Sequence, residues 1–338
     1  MSTKQAMIDA VTLRQILMER YSKGEARRLY KHIRRLDNLL EKKVLAKYGK
    51  ERAVILGKEV EKISNELLTL YGNDLIASLE SFAVKESEFA KQLLIASTSA
   101  TSIKSPSLLS VKKSVNSQTM NLLVGGKLQK VTINQAIKQF STAQSKKIGQ
   151  IIKDGSLSGR TTDEMVEEIS DLVRARTRQQ AETLVRTTTN KTATGAREAT
   201  FDENDDIFDG WQWLSTLDSR TSLTCAGLDG KKFQEGEQSK PPIHWGCRSS
   251  FIRLVKPEFD LGSEIEGKRS SDSGYVSAKL TYGGWLKKQG KPVQVEVLGT
   301  KRAKLFRSGE VSISNFTDRS GQTLTLDQLE AKNSLSFS

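Results

Sequence analysis

Histidine and cysteine are scarce in this chain, with two of each: His32, His244, Cys225 and Cys247. Two cysteines are too few for a disulfide scaffold, so a reducing cytoplasm is the expected setting. Long apolar runs are missing as well; nothing approaches the ~18 consecutive apolar residues that a membrane span needs. The opening MSTKQAMIDAVTLRQ has no uninterrupted apolar segment of the kind a secretory signal requires. Apolar residues make up 36% of the chain, lean for a compact enzyme and normal for long, water-exposed helices. Acidic residues are absent altogether between Glu88 and Asp154.

What is present is positive charge. The formal net charge is +13, which argues for a polyanionic partner, most simply nucleic acid. The acid-free window holds Lys104, Lys112, Lys113, Lys146 and Lys147 among its lysines, and these five are the candidate DNA contacts. It has only two aromatics, Phe89 and Phe140, so base stacking is poorly supported and backbone contact without sequence readout fits better. Upstream, ARRLYKHIRRLDNLL sets Arg27, Arg28, Lys31, Arg34 and Arg35 around an apolar stripe of Leu29, Ile33, Leu36 and Leu40. A solvated helix face explains that pattern as well as phosphate binding does. His32, inside this run and far from any cysteine, reads as a surface residue.

The expected fold class is α+β, with a mainly α-helical N-terminal half, a small α+β knuckle-like module and a compact C-terminal tail. Residues 1–95 read as a basic helical region. Leu56, Val60, Ile63 and Leu67 share one face of a 3.6-residue repeat, and Leu75, Leu79 and Phe82 resume it after an apparent break at Tyr71–Asp74. Residues 96–118 are serine-rich and suit a linker or extended arm. Residues 119–200 read as helical. Thr161 and Glu164 have capping-box spacing before a helix that buries Met165, Ile169, Leu172 and Val173. A second helix there runs through Ala181, Leu184 and Val185. Residues 201–265 form the knuckle module, in which FDGWQWLST suggests a strand. Gly262–Gly274 reads as a flexible joint before a tail at 275–338, where VQVEV (293–297) suits either a strand or a helix ending at Gly299.

Three of the four histidines and cysteines fall between positions 225 and 247. His244-x-x-Cys247 has the short spacing of a metal knuckle, and Cys225 is placed to close it from the other side of a hairpin. Structural zinc takes four ligands, so Asp218 or a water would have to complete the set. Buried free cysteines beside a hydrogen-bonded histidine, and a Cys225–Cys247 disulfide in an oxidising setting, are the other readings. Leu228-Asp229-Gly230-Lys231 is a tight-turn signal. Asp218, Arg220 and Arg248 crowd a module that has Trp211, Trp213 and Phe233 to bury, so a hydrogen-bonded or ionic network is expected there.

The residues Trp213, Thr216, Asp218, Arg220 and Thr221, then Cys225, Leu228, Asp229, Gly230 and Phe233, then Pro242, His244, Cys247 and Arg248 resemble a known signature. It is that of the phage head morphogenesis family, the Mu F-like minor head proteins of tailed bacteriophages. Arg186 and Thr187 in AETLVRTTTN resemble the family's Arg-Thr helix, and the tail from Thr281 resembles the segment that follows the knuckle. The resemblance covers roughly residues 155–338. It implies a minor structural protein of the virion, at the capsid interior or portal vertex, made in the host cytoplasm. The implied partners are the portal protein, phage genomic DNA and scaffolding or major capsid protein, with no membrane and no catalysis. Family members often carry further cysteines where this chain has Ser222 and Ser249, so zinc is expected to be substoichiometric or absent. The rival readings are a metal-dependent nuclease of phage origin and a nucleic-acid-binding regulator. The first lacks a second nearby histidine to act as base. The second lacks a helix-turn-helix or a four-ligand finger.

Overall fold

The computed structural model describes residues 3–44, 53–124, 127–172, 177–262, 267–318 and 322–333. Two long helices, α1 (Thr3–Val44) and α2 (Ala53–Ser97), dominate the N-terminal half. In α2 the predicted stripe is real: Leu56, Val60, Leu75 and Leu79 are buried, with Ile63 and Leu67 half-buried against the same core, and Phe82 is buried in a smaller cluster with Met18 and Ala193. The expected break at Tyr71–Asp74 does not occur. Helix α4 (Ile133–Leu157) crosses there, and a Cβ on Gly72 would lie 2.5 Å from Ile137 Cγ2. Gly72 is thus a close-approach residue that read as a turn signal. A second such crossing joins Gly57 to Gly149, where a Cβ on either would meet the other's carbonyl oxygen at under 3 Å.

The serine-rich stretch is an extended arm only in part. Ser107 accepts a hydrogen bond from the Ser110 N–H and starts α3 (Leu108–Ser117), which buries Val111 and Val115 against α2. An antiparallel hairpin of β1 (Thr119–Val124) and β2 (Lys127–Thr132) follows, inside the span expected to be helical. It buries Met120, Leu122 and Val131 in the helical core. Thr132 and Gln135 form a capping box that opens α4, and Thr161 and Glu164 form the expected one at α5 (Thr162–Asp171). Met165 and Ile169 are buried and Leu172 is half-buried, as its period implies. His32 is half-buried against the Tyr71 ring, not a free surface residue. The expectations for the side chains of Ile33, Arg34, Leu36, Leu40 and Val173 lie outside the described residues.

Helix α6 (Arg178–Asp202) runs from the helical half into the second core. That core is built on a three-stranded antiparallel sheet in the order β4 (Lys232–Phe233), β3 (Phe208–Leu214), β5 (Ser250–Val255). Trp211, Trp213 and Phe251 are buried on it, with Met7, Ile8 and Val11 of α1 closing over them. A buried carboxylate ties the helices together: Glu86 of α2 pairs with Arg197 of α6 at 2.7 Å and with Arg14 of α1 at 2.6 Å.

The glycine-bounded joint also contains structure, since β6 (Lys268–Ser271) and β7 (Gly274–Ser277) make a tight hairpin; residues 263–266 lie outside the described set. VQVEV falls within α9 (Lys291–Leu298), which ends at Gly299 with φ of 74°. Together with α8 (Tyr282–Lys288), α10 (Thr300–Ser308) and α11 (Leu326–Asn333) it packs a third core around Tyr282, Trp285, Phe306 and Phe316. Leu217 and Ala226 of the knuckle belong to this core, so the tail is seated on the knuckle. Among the described residues no helix is long and apolar enough to cross a membrane.

Candidate functional site

The knuckle begins where β3 runs out at Leu214. Trp213 is fully buried, and its indole N–H donates to Ser215 Oγ at 2.9 Å. Asp218 then organises the loop. Arg248 Nη1 and Nη2 both reach its carboxylate, a bidentate pair in which each side chain is only 9% exposed. Thr221 Oγ1 donates to the Thr216 carbonyl at 2.7 Å and contacts Asp218 Oδ1 at 3.1 Å. The Arg220 side chain meets Asp218 at 3.4 Å and is largely solvent-exposed, while its backbone N–H donates to Asp218 Oδ1 at 3.1 Å. The expected polar network is therefore present, with Arg248 inside it and Arg220 at its rim. Burial works to raise the Asp218 pKa, but the Arg248 guanidinium outweighs it and holds the carboxyl below its ordinary value.

A second network was not legible. Asp229 does sit at the predicted turn, with Gly230 at φ of 79°, yet its carboxylate is fully buried. It accepts from the Ser215 N–H at 2.7 Å, from the Tyr282 N–H at 2.7 Å, and from both Nη atoms of Arg269 at 2.6 and 3.0 Å. Arg269 comes from the β6–β7 hairpin and also donates to the Leu280 carbonyl at 2.9 Å. Asp229 is thus the joint between knuckle, hairpin and tail. Nothing in the serine-rich string around Arg269 signals a buried guanidinium.

Cys225, His244 and Cys247 do converge: their ligand atoms all lie within 4.8 Å of one another. Cys225 sits on α7 (Leu223–Leu228), a short helix whose N-cap Ser222 accepts from the Cys225 N–H. His244 and Cys247 come from the loop before β5, closed by a hydrogen bond from the Cys247 N–H to the His244 carbonyl at 3.2 Å. Cys225 Sγ lies 3.1 Å from His244 Nε2 and 3.8 Å from Cys247 Sγ, and both cysteines are free and buried. His244 Nδ1 lies 3.0 Å from the Trp245 carbonyl oxygen. Asp218 is committed to Arg248 and is not part of the cluster; Ser222 Oγ lies 2.9 Å from His244 Nε2.

Burial pushes the Cys225 thiol up. At Cys247 burial acts the same way, but hydrogen bonds from Cys225 and His244 prevail and favour the thiolate. Burial also works against charge on His244, and the neighbouring Cys247 outweighs it and raises the imidazole's pKa.

The Arg-Thr helix explains how the loop is held. Thr187 on α6 accepts from the Gly246 N–H at 2.8 Å. One turn on, the Asn190 amide donates to the carbonyls of Cys247 and Ser249 at 2.9 and 3.0 Å. Arg186, next to Thr187, points instead to Glu19 of α1 at 3.3 Å. Asn190 was missed because a buried asparagine inside a Thr-rich helix carries no pattern of its own.

The five candidate DNA lysines are all exposed. Lys104 lies in the extended segment, Lys112 and Lys113 on α3, and Lys146 and Lys147 on α4. Lys147 also borders a cleft between α4 and α6 with Phe140 and Trp245.

No curated protein and no solved structure matches the chain. Residues 146–252 match the family model described as Phage Mu protein F like protein. The match runs from the middle of α4 to the middle of β5, so it takes in α6 and the whole Cys–His knuckle and stops before the tail. The resemblance read from the knuckle residues is thereby supported over residues 155–252 and not over the tail, and residues 146–252 are the part of this chain similar to the Mu F-like family.

Proposed function

We propose that this protein is a minor structural component of a tailed-phage head that acts in procapsid assembly or genome delivery. The observation that carries the reading is the Mu F-like match over the segment that builds and holds the knuckle. Its place is the virion, at the portal vertex or capsid interior, in contact with portal, scaffolding or major capsid protein. Its contact with the genome is sequence-independent. Supporting that contact are the net charge of +13 and the exposure of Lys104, Lys112, Lys113, Lys146 and Lys147 in a stretch with no acid. A structural role is favoured over catalysis because the buried carboxylates Asp218 and Asp229 are already engaged. Asp218 is held by Arg248 and Asp229 by Arg269, which leaves neither carboxylate open for a hard metal of the kind nucleases use.

Two measurements test the reading. Purified protein mixed with plasmid and Mg²⁺ or Mn²⁺ is expected to retard the DNA without cutting it and without sequence preference. Cleavage would favour the nuclease reading instead. Quantifying the chain in intact virions and in DNA-emptied particles is expected to give a few copies per particle, and absence from both would remove the head assignment.

A further inference from the structure

The geometry points to a zinc site in which Cys225, His244 and Cys247 supply three ligands and an oxygen at Ser222 supplies the fourth. This goes beyond the proposed head function and does not depend on it. It also reverses the expectation that the missing cysteines leave the knuckle without metal.

The separations fit a tetrahedral ion. With Zn–S near 2.3 Å and Zn–N near 2.0 Å, a tetrahedron has an S···S edge of about 3.8 Å and an S···N edge of about 3.5 Å. The two sulfurs stand 3.8 Å apart, already at that edge. Cys225 Sγ to His244 Nε2 is 3.1 Å, a few tenths of an ångström short of that edge, and all three ligand atoms lie within 4.8 Å of one another.

The orientation of the imidazole is set in advance. The Trp245 carbonyl is an acceptor only, so the hydrogen bond at His244 Nδ1 requires that nitrogen to carry a proton. In the neutral ring the lone pair is then on Nε2, the atom that faces the sulfurs. A ligating histidine that donates its other N–H to a carbonyl is the usual outer-shell arrangement of zinc histidines. The backbone of the loop is anchored as well, since Asn190 and Thr187 of α6 hold it at Gly246, Cys247 and Ser249. Rigid anchoring of this kind lowers the ordering cost of binding.

No further histidine, cysteine, aspartate or glutamate joins the cluster among the described residues. Ser222 Oγ occupies the space beside Nε2 and hydrogen-bonds the Cys225 N–H. The fourth donor is therefore a hydroxyl oxygen or a water that it holds. Binding takes both sulfurs as thiolates and the imidazole as the neutral ring, so any proton on these three groups passes to solvent, and no redox change is involved.

The test uses the full chain, expressed reduced and stripped with a chelator, then loaded with Zn²⁺ or Co²⁺ and dialysed. The expected result is one metal per chain. The Co²⁺ form should show thiolate-to-metal charge transfer and the intense d–d bands of a tetrahedral site. His244→Gln and Cys247→Ser are expected to lose the spectrum. Should those variants fail to fold, mercurial titration of wild-type thiols replaces them, with zinc expected to leave in step with the two thiols. Ser222→Cys is expected to add a third thiolate to the charge-transfer band. No bound metal, or metal that survives modification of both thiols, would overturn the site. An unchanged Ser222→Cys spectrum would overturn the fourth ligand.

Discussion

At the scale of single residues, the buried carboxylates Asp218 and Asp229 test how much the knuckle depends on buried charge. Asp229 and Arg269 are at most 3% exposed at the side chain, and Asp229 also receives two backbone N–H groups. Truncating either to alanine leaves the other ion buried alone, and a loss of about 3–5 kcal/mol is expected in urea denaturation. Replacing both with leucine should recover part of that loss, because no stranded charge remains; a double variant as unstable as the singles would contradict this. Asp218 makes a prediction about pH. Its folded pKa is depressed, so its contribution is complete above the unfolded carboxylate value of about 3.9 and fades as pH falls through the lower folded value. The stability gap between the parent and Asp218→Asn should therefore be constant near neutrality and close below roughly pH 4. A gap that stayed open in acid would mean that shape, not charge, makes the pair useful.

Among the elements, helix crossings and helix-to-loop anchors carry the arrangement. Alanine in place of a mid-helix glycine ordinarily gains about 1 kcal/mol of helix propensity. At Gly149 the added methyl would meet the Gly57 carbonyl, a backbone atom that has little room to move. Gly149→Ala is therefore expected to lose about 1–3 kcal/mol net, measurable as a lower denaturation midpoint. A more stable variant would show that α2 and α4 separate freely at that point. Asn190→Ala removes the donor shared by the Cys247 and Ser249 carbonyls. It should cost about 1–3 kcal/mol and release the loop carrying His244 while leaving the circular dichroism of the helices unchanged. Equal protection of the 244–249 amides in hydrogen exchange would rule that out.

Across the whole molecule, the tail and the charge distribution matter most. Leu217 and Ala226 of the knuckle are buried in the tail's core, and Tyr282 donates from its hydroxyl to the Asp218 carbonyl at 2.9 Å. Deleting residues 282–338 should therefore loosen the knuckle too, seen as a red shift in the fluorescence of the fully buried Trp211 and Trp213. Unshifted emission would show that the knuckle stands by itself. For the lysines, changing Lys112, Lys113, Lys146 and Lys147 to glutamine should weaken binding to all DNA sequences alike. It should also flatten the dependence on salt by roughly 0.9 for each phosphate that is no longer neutralised. Undiminished affinity would reduce these charges to a solvated surface.

Periodic burial and the local chemistry of caps and turns were readable from the chain alone. The α2 stripe, the Thr161–Glu164 cap, the Gly230 turn, the β3 strand and the grouping of Cys225, His244 and Cys247 all follow from residue types at fixed short spacing. Such signals are local, because backbone geometry alone relates residues a turn or a pleat apart. What lay beyond them depends on neighbours distant in sequence. Gly72 reads as a breaker until α4 is laid across it. Arg269 is one cation among many until the hairpin carries it to a carboxylate forty positions earlier. Asn190, Thr187 and Ser222 become the setting of the Cys–His cluster only once α6 and α7 are packed beside it. A buried polar group takes its role from whichever partner satisfies it, and only the folded chain brings that partner within 3 Å.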